Sequence, residues 1–504
     1  MLRPAFLTRA TVVPRASRSL PWKVAAVGLA AGMVTLVGFE TVQSPQLNRA
    51  LLAVLIVGFL SFVAVRRPRA AVLMTFAFLV VLGLVRRLLI PIAGWSSYDP
   101  LLLVAPLVCG FLMVRIFVAE RRKLAPDLFS KLIVAFLLLM LLEAFNPLGN
   151  GPLAGLVGLL FVAAPLVWFF VGRELADRHT VWTLLRWVVI LGLGSAIYGL
   201  WQTNGLPPWD IAWLNIGGYN ALRITSEVTS QGIIRPFGTF SSSAEYASYL
   251  SIAIGVAVAM VLRGRLLALA AVPLLAWALF LESSRGPVLL VLVAVILLIG
   301  LRTTKPWAAI AIVAIGLGGG VAAASLLGQG LQDSAVGSAN PLIIHQVGGL
   351  LHPFDPNQST LTGHVKQLTD SFVGALRQPL GTGTGVITRP DKFGTAASGS
   401  DEDLTAAFIG LGLPGALLFL AIVCTALWKV VSAYRRHRDV AAFCVPAILF
   451  VTALQWLNGG QYAVAPLIWF CIGWATHESA RRARDTVRGP ISAPLPLRVR
   501  VNHF

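Results

Sequence analysis

Apolar runs of about 17–23 residues recur along this chain, and each is long enough as a helix to cross a hydrocarbon core of ~30 Å. About fourteen are present, centred near residues 31, 57, 78, 109, 136, 162, 191, 253, 273, 294, 317, 416, 448 and 468. A single run of this kind could be the core helix of a soluble protein, but a whole set of them excludes that class. Only 12% of residues are charged and the mean hydropathy is +0.79, whereas a soluble domain carries about 25% charge. The expected fold is all-α: a polytopic membrane bundle of about 14 helices (range about 12–14), with a large outer-side loop containing short helices.

The basic residues orient the bundle. Of 40 Lys and Arg, about 29 fall in the terminal segments and in alternate loops, the positive-inside pattern that puts both termini in the cytoplasm. Arg115 lies within the fourth run and can snorkel to the same side. The net charge of +19 is thereby accounted for by anionic headgroups, and no zinc or helix-turn-helix pattern points to nucleic acid. The first 20 residues loosely resemble a transit peptide. A basic tail before an uncleaved helix is the preferred reading, because no A-x-A-like site follows the run over 24–39. Cys109, Cys424, Cys444 and Cys471 all fall in expected helices, where they read as packing residues.

Alternation then divides the chain into a basic tail (1–23), helices (24–200), a first outer loop (201–243), helices enclosing an outer turn at Arg285 (244–328), a large outer loop (329–403), helices (404–479) and a cytoplasmic tail (480–504). The large loop is read as an ordered cap with a helix near 364–377 and short apolar stretches at 341–345 and 348–351.

Two outer arginines stand out. Arg235 sits in IIRPFGTF, where Pro236 and Gly238 impose irregular backbone at the membrane boundary; such backbone is tolerated only inside protein or along a cavity. Arg285 sits in LESSRGP, a turn too short to carry it far into water, with Glu282 as an alternative salt-bridge partner. Phosphate suits the planar fork of arginine. Arg86 and Arg87 read as interface anchors. Candidate bases lie in the large loop: His345, His352, His364, Asp355, Asp370, Asp391, Asp401, Glu402 and Asp403, with the 401–403 trio set apart by its place before a helix. A helix dipole alone accounts for acids there. No metal-ligand spacing, P-loop or nucleophile elbow is present, so neither metal nor cofactor is expected. Gly381 to Gly385 reads as a backbone turn.

The order of three segments resembles the O-antigen ligase and O-antigen polymerase superfamily of bacterial polytopic membrane glycosyltransferases, over about residues 235–420. These are R-P-F-G-T-F at 235–240, S-S-R-G at 283–286, and a helix from His364 through Q-P-L-G-T-G-T-G followed by G-L-G-L-P-G at 410–415. The resemblance implies that Arg235 and Arg285 bind the pyrophosphate of an undecaprenyl-linked glycan. It also implies transfer to a glycan or lipid acceptor at the periplasmic face of the bacterial inner membrane. Where ligases carry a His-Asn pair, this chain has Asp401-Glu402. Either Asp401 is the base, or a loop histidine such as His364 replaces it, or no base is needed. A flippase for the same lipid-linked saccharide is the alternative function. Against it stand helix interiors nearly free of charge and the lack of internal repeats.

Overall fold

The computed structural model describes residues 45–487 except 96–98, 123–126, 217–233, 304, 306, 317, 320–333, 335–339, 352–354, 356–360, 387–402, 454 and 458–460. The run centred near residue 31 and residues 488–504 of the C-terminal tail lie outside the described residues, as do His352, Asp391, Asp401 and Glu402, while residues 480–487 of the tail continue the last helix.

The described chain is all-α. Eight helices are long and apolar enough to cross a membrane: α1 (Pro45–Arg66), α2 (Pro68–Leu88), α3 (Pro100–Ala119), α5 (Pro152–Leu175), α6 (Arg178–Gln202), α8 (Ser243–Leu262), α10 (Arg285–Arg302) and α14 (Asp403–His437). Between them lie α4 (Leu128–Glu143), α7 (Pro208–Ile216) and the shorter apolar α9 (Leu266–Glu282), α11 (Trp307–Gly316) and α12 (Pro341–Leu351). The amphipathic α13 (Leu361–Arg377) precedes α14, and the apolar α15 (Val440–Val451) and α16 (Val464–His477) close the bundle. The expected helix near 364–377 is α13, and the two apolar stretches of the loop form the single helix α12.

α8 is the central helix, buried on nearly all sides, while α1 and α10 lie at the periphery. The broadest interface joins α5 to α16, where Phe76 of α2 packs against Trp168 and Phe470 at ring-centroid distances of 5.0 and 5.4 Å. Large apolar side chains such as Phe59, Leu142, Ile197, Leu292 and Leu417 point outward. That surface suits lipid, which solvates it as water cannot.

The two ends of the bundle treat charge differently. At the basic end, cations satisfy helix termini: Arg115 donates to the carbonyls of Ala64 and Val65. Arg173 and Lys429 both reach Asp127, at 2.8 and 2.9 Å, and Arg69 pairs with Asp177 at 2.7 Å. At the far end the charges are buried. Arg49 and Arg86 share Asp99 Oδ2 at 2.6 and 2.8 Å, and Arg87 pairs with Asp210 at 2.6 Å. Arg86 and Arg87 are therefore not interface anchors. They are enclosed because Asp99, just before α3, and Asp210 of α7 fold in, compensating charge that would otherwise be too costly to bury. Cys109, Cys444 and Cys471 are buried as packing residues, while Cys424 is exposed on α14.

Candidate functional site

The segment after Arg235 enters the bundle at the far end as irregular backbone, and its polar groups are met by neighbouring helices. Gln202 Oε1 accepts from the N–H of Phe237 and Gly238 at 3.0 and 2.8 Å, while Gln202 Nε2 donates to Asp210 at 2.7 Å. Arg87, paired with the same Asp210, donates to the carbonyls of Gly238 and Phe240. Thr239 reaches into the hydrogen-bond ladder of α2. Its Oγ1 donates to Val80 O at 2.7 Å and its carbonyl accepts from Leu84 N at 2.8 Å. Those two groups of α2 would pair with each other in a regular helix. Gly83 permits this approach, since a β-carbon there would overlap the Phe240 backbone. The result is a non-helical segment buried in protein with its backbone satisfied, the condition for such backbone at membrane depth, and it fixes the position from which Arg235 projects.

Arg285 is placed by the turn between α9 and α10. Ser283 adopts a left-handed conformation (φ 69°), which costs an L-residue roughly 1–2 kcal/mol. Glu282 folds back on this turn, accepting from Ser284 N at 3.0 Å and Ser284 Oγ at 2.9 Å. Arg285 opens α10, and its side chain turns to α12. Its Nη2 donates to His345 O at 2.9 Å and lies 3.1 Å from His345 Nε2. A guanidinium can only donate, so Nε2 accepts and the imidazole proton resides on Nδ1. One helical turn on, Gly349 faces the same guanidinium: a β-carbon there would overlap its Cζ, Nε and Nη2. Leu342, His345, Gln346 and Gly349 form the buried face of α12.

Charge and unmet hydrogen bonding mark this place. Burial first, then the charges of Arg285 and Arg235, push the His345 pKa down from 6.5 to about 4; both arginines thus act on one imidazole, which is neutral at pH 7. Arg235 Nε, Arg285 Nε, Ser283 Oγ, His345 Nδ1 and Gln346 Oε1 are buried and have no hydrogen-bond partner among the described residues. Four of these five atoms can donate. Buried donors without partners are expensive, and an anion would satisfy them while balancing two guanidinium charges.

Three of the other candidates, His364, Asp370 and Asp403, stand elsewhere. His364 lies half-buried on α13, which packs against α14 rather than forming part of the Arg285 cradle. Asp403 is buried in the first turn of α14, where its Oδ2 accepts from the N–H of Trp456 and of Leu457 (2.7 Å). Asp370 pairs with Lys366 at 2.5 Å on the exposed side of α13. His345, one of three loop histidines in the sequence, is brought to Arg285. Its sequence signal was the spacing of Leu342, His345, Gln346 and Gly349, which puts a histidine, an amide and a glycine on one helical face.

The G-T-G-T-G segment is more than a turn. α14 breaks at Gly412 (φ 64°), and Pro414 has no N–H to offer Gly410 O. Gly383 N supplies that bond at 2.9 Å. Thr382 N and Oγ1 both donate to Ile409 O at 2.9 Å, and Leu413 N donates to Pro379 O at 3.0 Å. The segment is a strap that repairs the break. Beside it, between α13 and α14, lies a cleft of about 580 Å³ lined by Lys366, Gln367, Asp370, Ser371, Arg377 and Gln378 among others.

No protein-family model and no curated protein matches the chain. The chain is a multi-pass helical membrane protein by the length and composition of its helices.

Proposed function

We propose that this protein is an integral-membrane glycosyltransferase that polymerises or ligates an undecaprenyl-pyrophosphate-linked oligosaccharide at the periplasmic face of a bacterial inner membrane. On this reading the bundle has about 14 spans, with both termini cytoplasmic, as the segregation of basic residues suggests. The observation that carries it is the convergence of Arg235, Arg285 and the neutral His345, with buried donor atoms that no described residue meets.

Such a cluster suits a pyrophosphate leaving group. An acceptor hydroxyl oxygen attacks the anomeric carbon, the carbon–oxygen bond to pyrophosphate breaks, and the electron pair stays on the phosphate oxygen. Fixed donors in a low-dielectric site stabilise that developing charge more than the ground state. Arg235 and Arg285 bind the pyrophosphate, and His345 adds a third donor through Nδ1–H. The acceptor proton passes to a base for which Asp401 and His364 are the two candidates, or leaves without one. The resemblance of the 235–240, 283–286 and 364–415 segments to O-antigen ligases and polymerases supports the same reading.

The test is to incubate purified protein in nanodiscs with undecaprenyl-pyrophosphate-linked repeat units and follow the glycan lipid on a gel. Wild type is expected to ladder or transfer the glycan, and Arg285→Ala to abolish both while still inserting. Loss in Asp401→Asn but not His364→Ala identifies the acid as the base, and the reverse identifies the histidine. Full activity in Arg235→Ala and Arg285→Ala overturns the site. Wild type that moves the lipid across the bilayer without altering it is instead a flippase.

A further inference from the structure

The helix α13 has three faces; among the described residues one packs broadly on α14, and of the third only Phe372 also touches it, meeting Phe408 edge-on at 5.5 Å. Leu368, Ser371 and Ala375 turn toward α14, and the last two are buried. A second face, carrying Gly363, Lys366, Gln367, Asp370, Gly374 and Arg377, lines the polar cleft. The third carries Val365, Phe372 and Leu376, which are 58, 46 and 56% exposed. At 100° per residue these three fall within an arc of about 40°, roughly opposite the cleft-lining residues. An exposed apolar stripe on a helix with a charged opposite face is unfavourable in water and is the pattern of a helix lying in a membrane interface.

The surroundings say what covers the stripe. It continues past the end of α13 into Leu380, 68% exposed, where the strap enters the bundle. Asn146 Nδ2 donates to Gly381 O at 3.3 Å, which brings the 143–152 connection to the same place. That connection presents Phe145 and Leu148, and just beyond the Gly412 break α14 presents Leu417, all of them exposed. α14 is itself long and apolar enough to cross a membrane. The apolar face of α13 is therefore continuous with the lipid-facing surface of a spanning helix. α13 belongs to the far end of the bundle, because it packs near the first turns of α14, where Asp403 joins the 455–457 segment, and Gln455 and Gln461 join Ser248 of α8.

We infer that α13 is an in-plane helix seated in the headgroup layer of the leaflet on the Arg285 side, with Val365, Phe372, Leu376 and Leu380 among the acyl chains and the polar cleft open at headgroup level. Its partner is the lipid leaflet itself. The helix, 17 residues or about 25 Å long, forms a shelf at the membrane surface, sunk by about 5–10 Å. A headgroup carried on a lipid would meet the cleft by lateral diffusion alone. This inference does not depend on the enzymatic reading.

The experiment uses the full chain in nanodiscs with Cys424→Ser, leaving only the buried cysteines. Single cysteines are introduced as Phe372→Cys and Leu376→Cys on one face, and Lys366→Cys and Gly374→Cys on the other. Each is labelled with a small fluorophore. Phosphatidylcholine bearing a nitroxide high on the acyl chain is expected to quench the labels at 372 and 376 several-fold more than those at 366 and 374. A water-soluble quencher is expected to give the reverse order. Equal quenching of both faces by the water-soluble reagent would mean that α13 stands clear of the membrane. Protection of 372 and 376 from both quenchers would mean that protein, such as a second copy of the chain, covers the stripe. Either result overturns the inference, and two positions on each face guard against one that misfolds.

Discussion

Arg285 and Gly349 occupy each other's space: the guanidinium fills the volume that any side chain at position 349 would need. The glycine is thus a steric requirement of the arginine, set one helical turn from the histidine carbonyl that the arginine also binds. Gly349→Ala should strengthen α12 as a helix by about 1 kcal/mol and yet expel Arg285 from its seat. The expected outcome is a folded protein that loses most of its stabilisation by added inorganic pyrophosphate, measured as a shift in thermal unfolding. An undiminished shift would show that the seat is not needed for anion binding.

Arginine at 235 and 285 is expected to be irreplaceable by lysine. An ammonium keeps the charge but loses the planar fork, and Nε of each arginine is a buried donor without a partner among the described residues. Arg285→Lys should lower the rate of transfer from the pyrophosphate-linked donor by about 100-fold or more, the usual cost of one fixed donor to a developing oxyanion. Wild-type rates in the glycan-lipid gel assay for both lysine variants would argue against phosphate recognition.

His345 couples anion binding to protons. Its pKa is depressed to about 4 from an ordinary 6.5, so the unfolded chain binds a proton in this window and the folded chain does not. The histidine's effect on stability is therefore nil above about 6.5, and stability is lost as pH falls from there toward about 4. A bound pyrophosphate offsets the two arginine charges and lets the pKa climb. Binding should take up protons between those values, visible as a dependence of calorimetric enthalpy on buffer ionisation. His345→Asn should abolish the proton uptake.

Asp210 holds together the segment that carries Arg235, through Arg87 on one side and Gln202 on the other. Asp210→Ala leaves a buried guanidinium uncompensated and should destabilise the protein by about 3–5 kcal/mol. Adding Arg87→Met should recover part of that loss, read as thermal unfolding in detergent. If the double variant is no more stable than Asp210→Ala, the two residues are not energetically coupled.

Thr239→Val retains shape and removes the hydroxyl that donates to Val80 O. The carbonyl left unmet should cost about 1–3 kcal/mol, lowering the unfolding temperature without changing helix content by circular dichroism. No change in stability would mean that α2 closes its own ladder when the threonine is removed.

Membrane class and helical architecture were legible in the chain because apolar length and the distribution of basic residues are local properties, and each spanning helix satisfies its own backbone. The irregular entry at Arg235 and the Arg285 turn were legible for the same reason: proline, glycine and a short polar turn act on their own neighbours. The sequence could also place α13, whose periodicity is its own. What it could not settle were relations between distant segments. Arg86 and Arg87 looked like surface anchors until Asp99 and Asp210 folded onto them. Nothing local to Thr239 announced that it would enter the ladder of α2, and nothing near Gly383 that it would supply the bond Pro414 cannot make. His345, rather than His364, reaches Arg285 because the buried face of α12 docks there, over 60 residues along the chain. Hydrogen-bonding type, helix length and side preference are written residue by residue. Which buried charge meets which acid, and which histidine meets which arginine, is decided only when packing closes gaps that the linear chain leaves open.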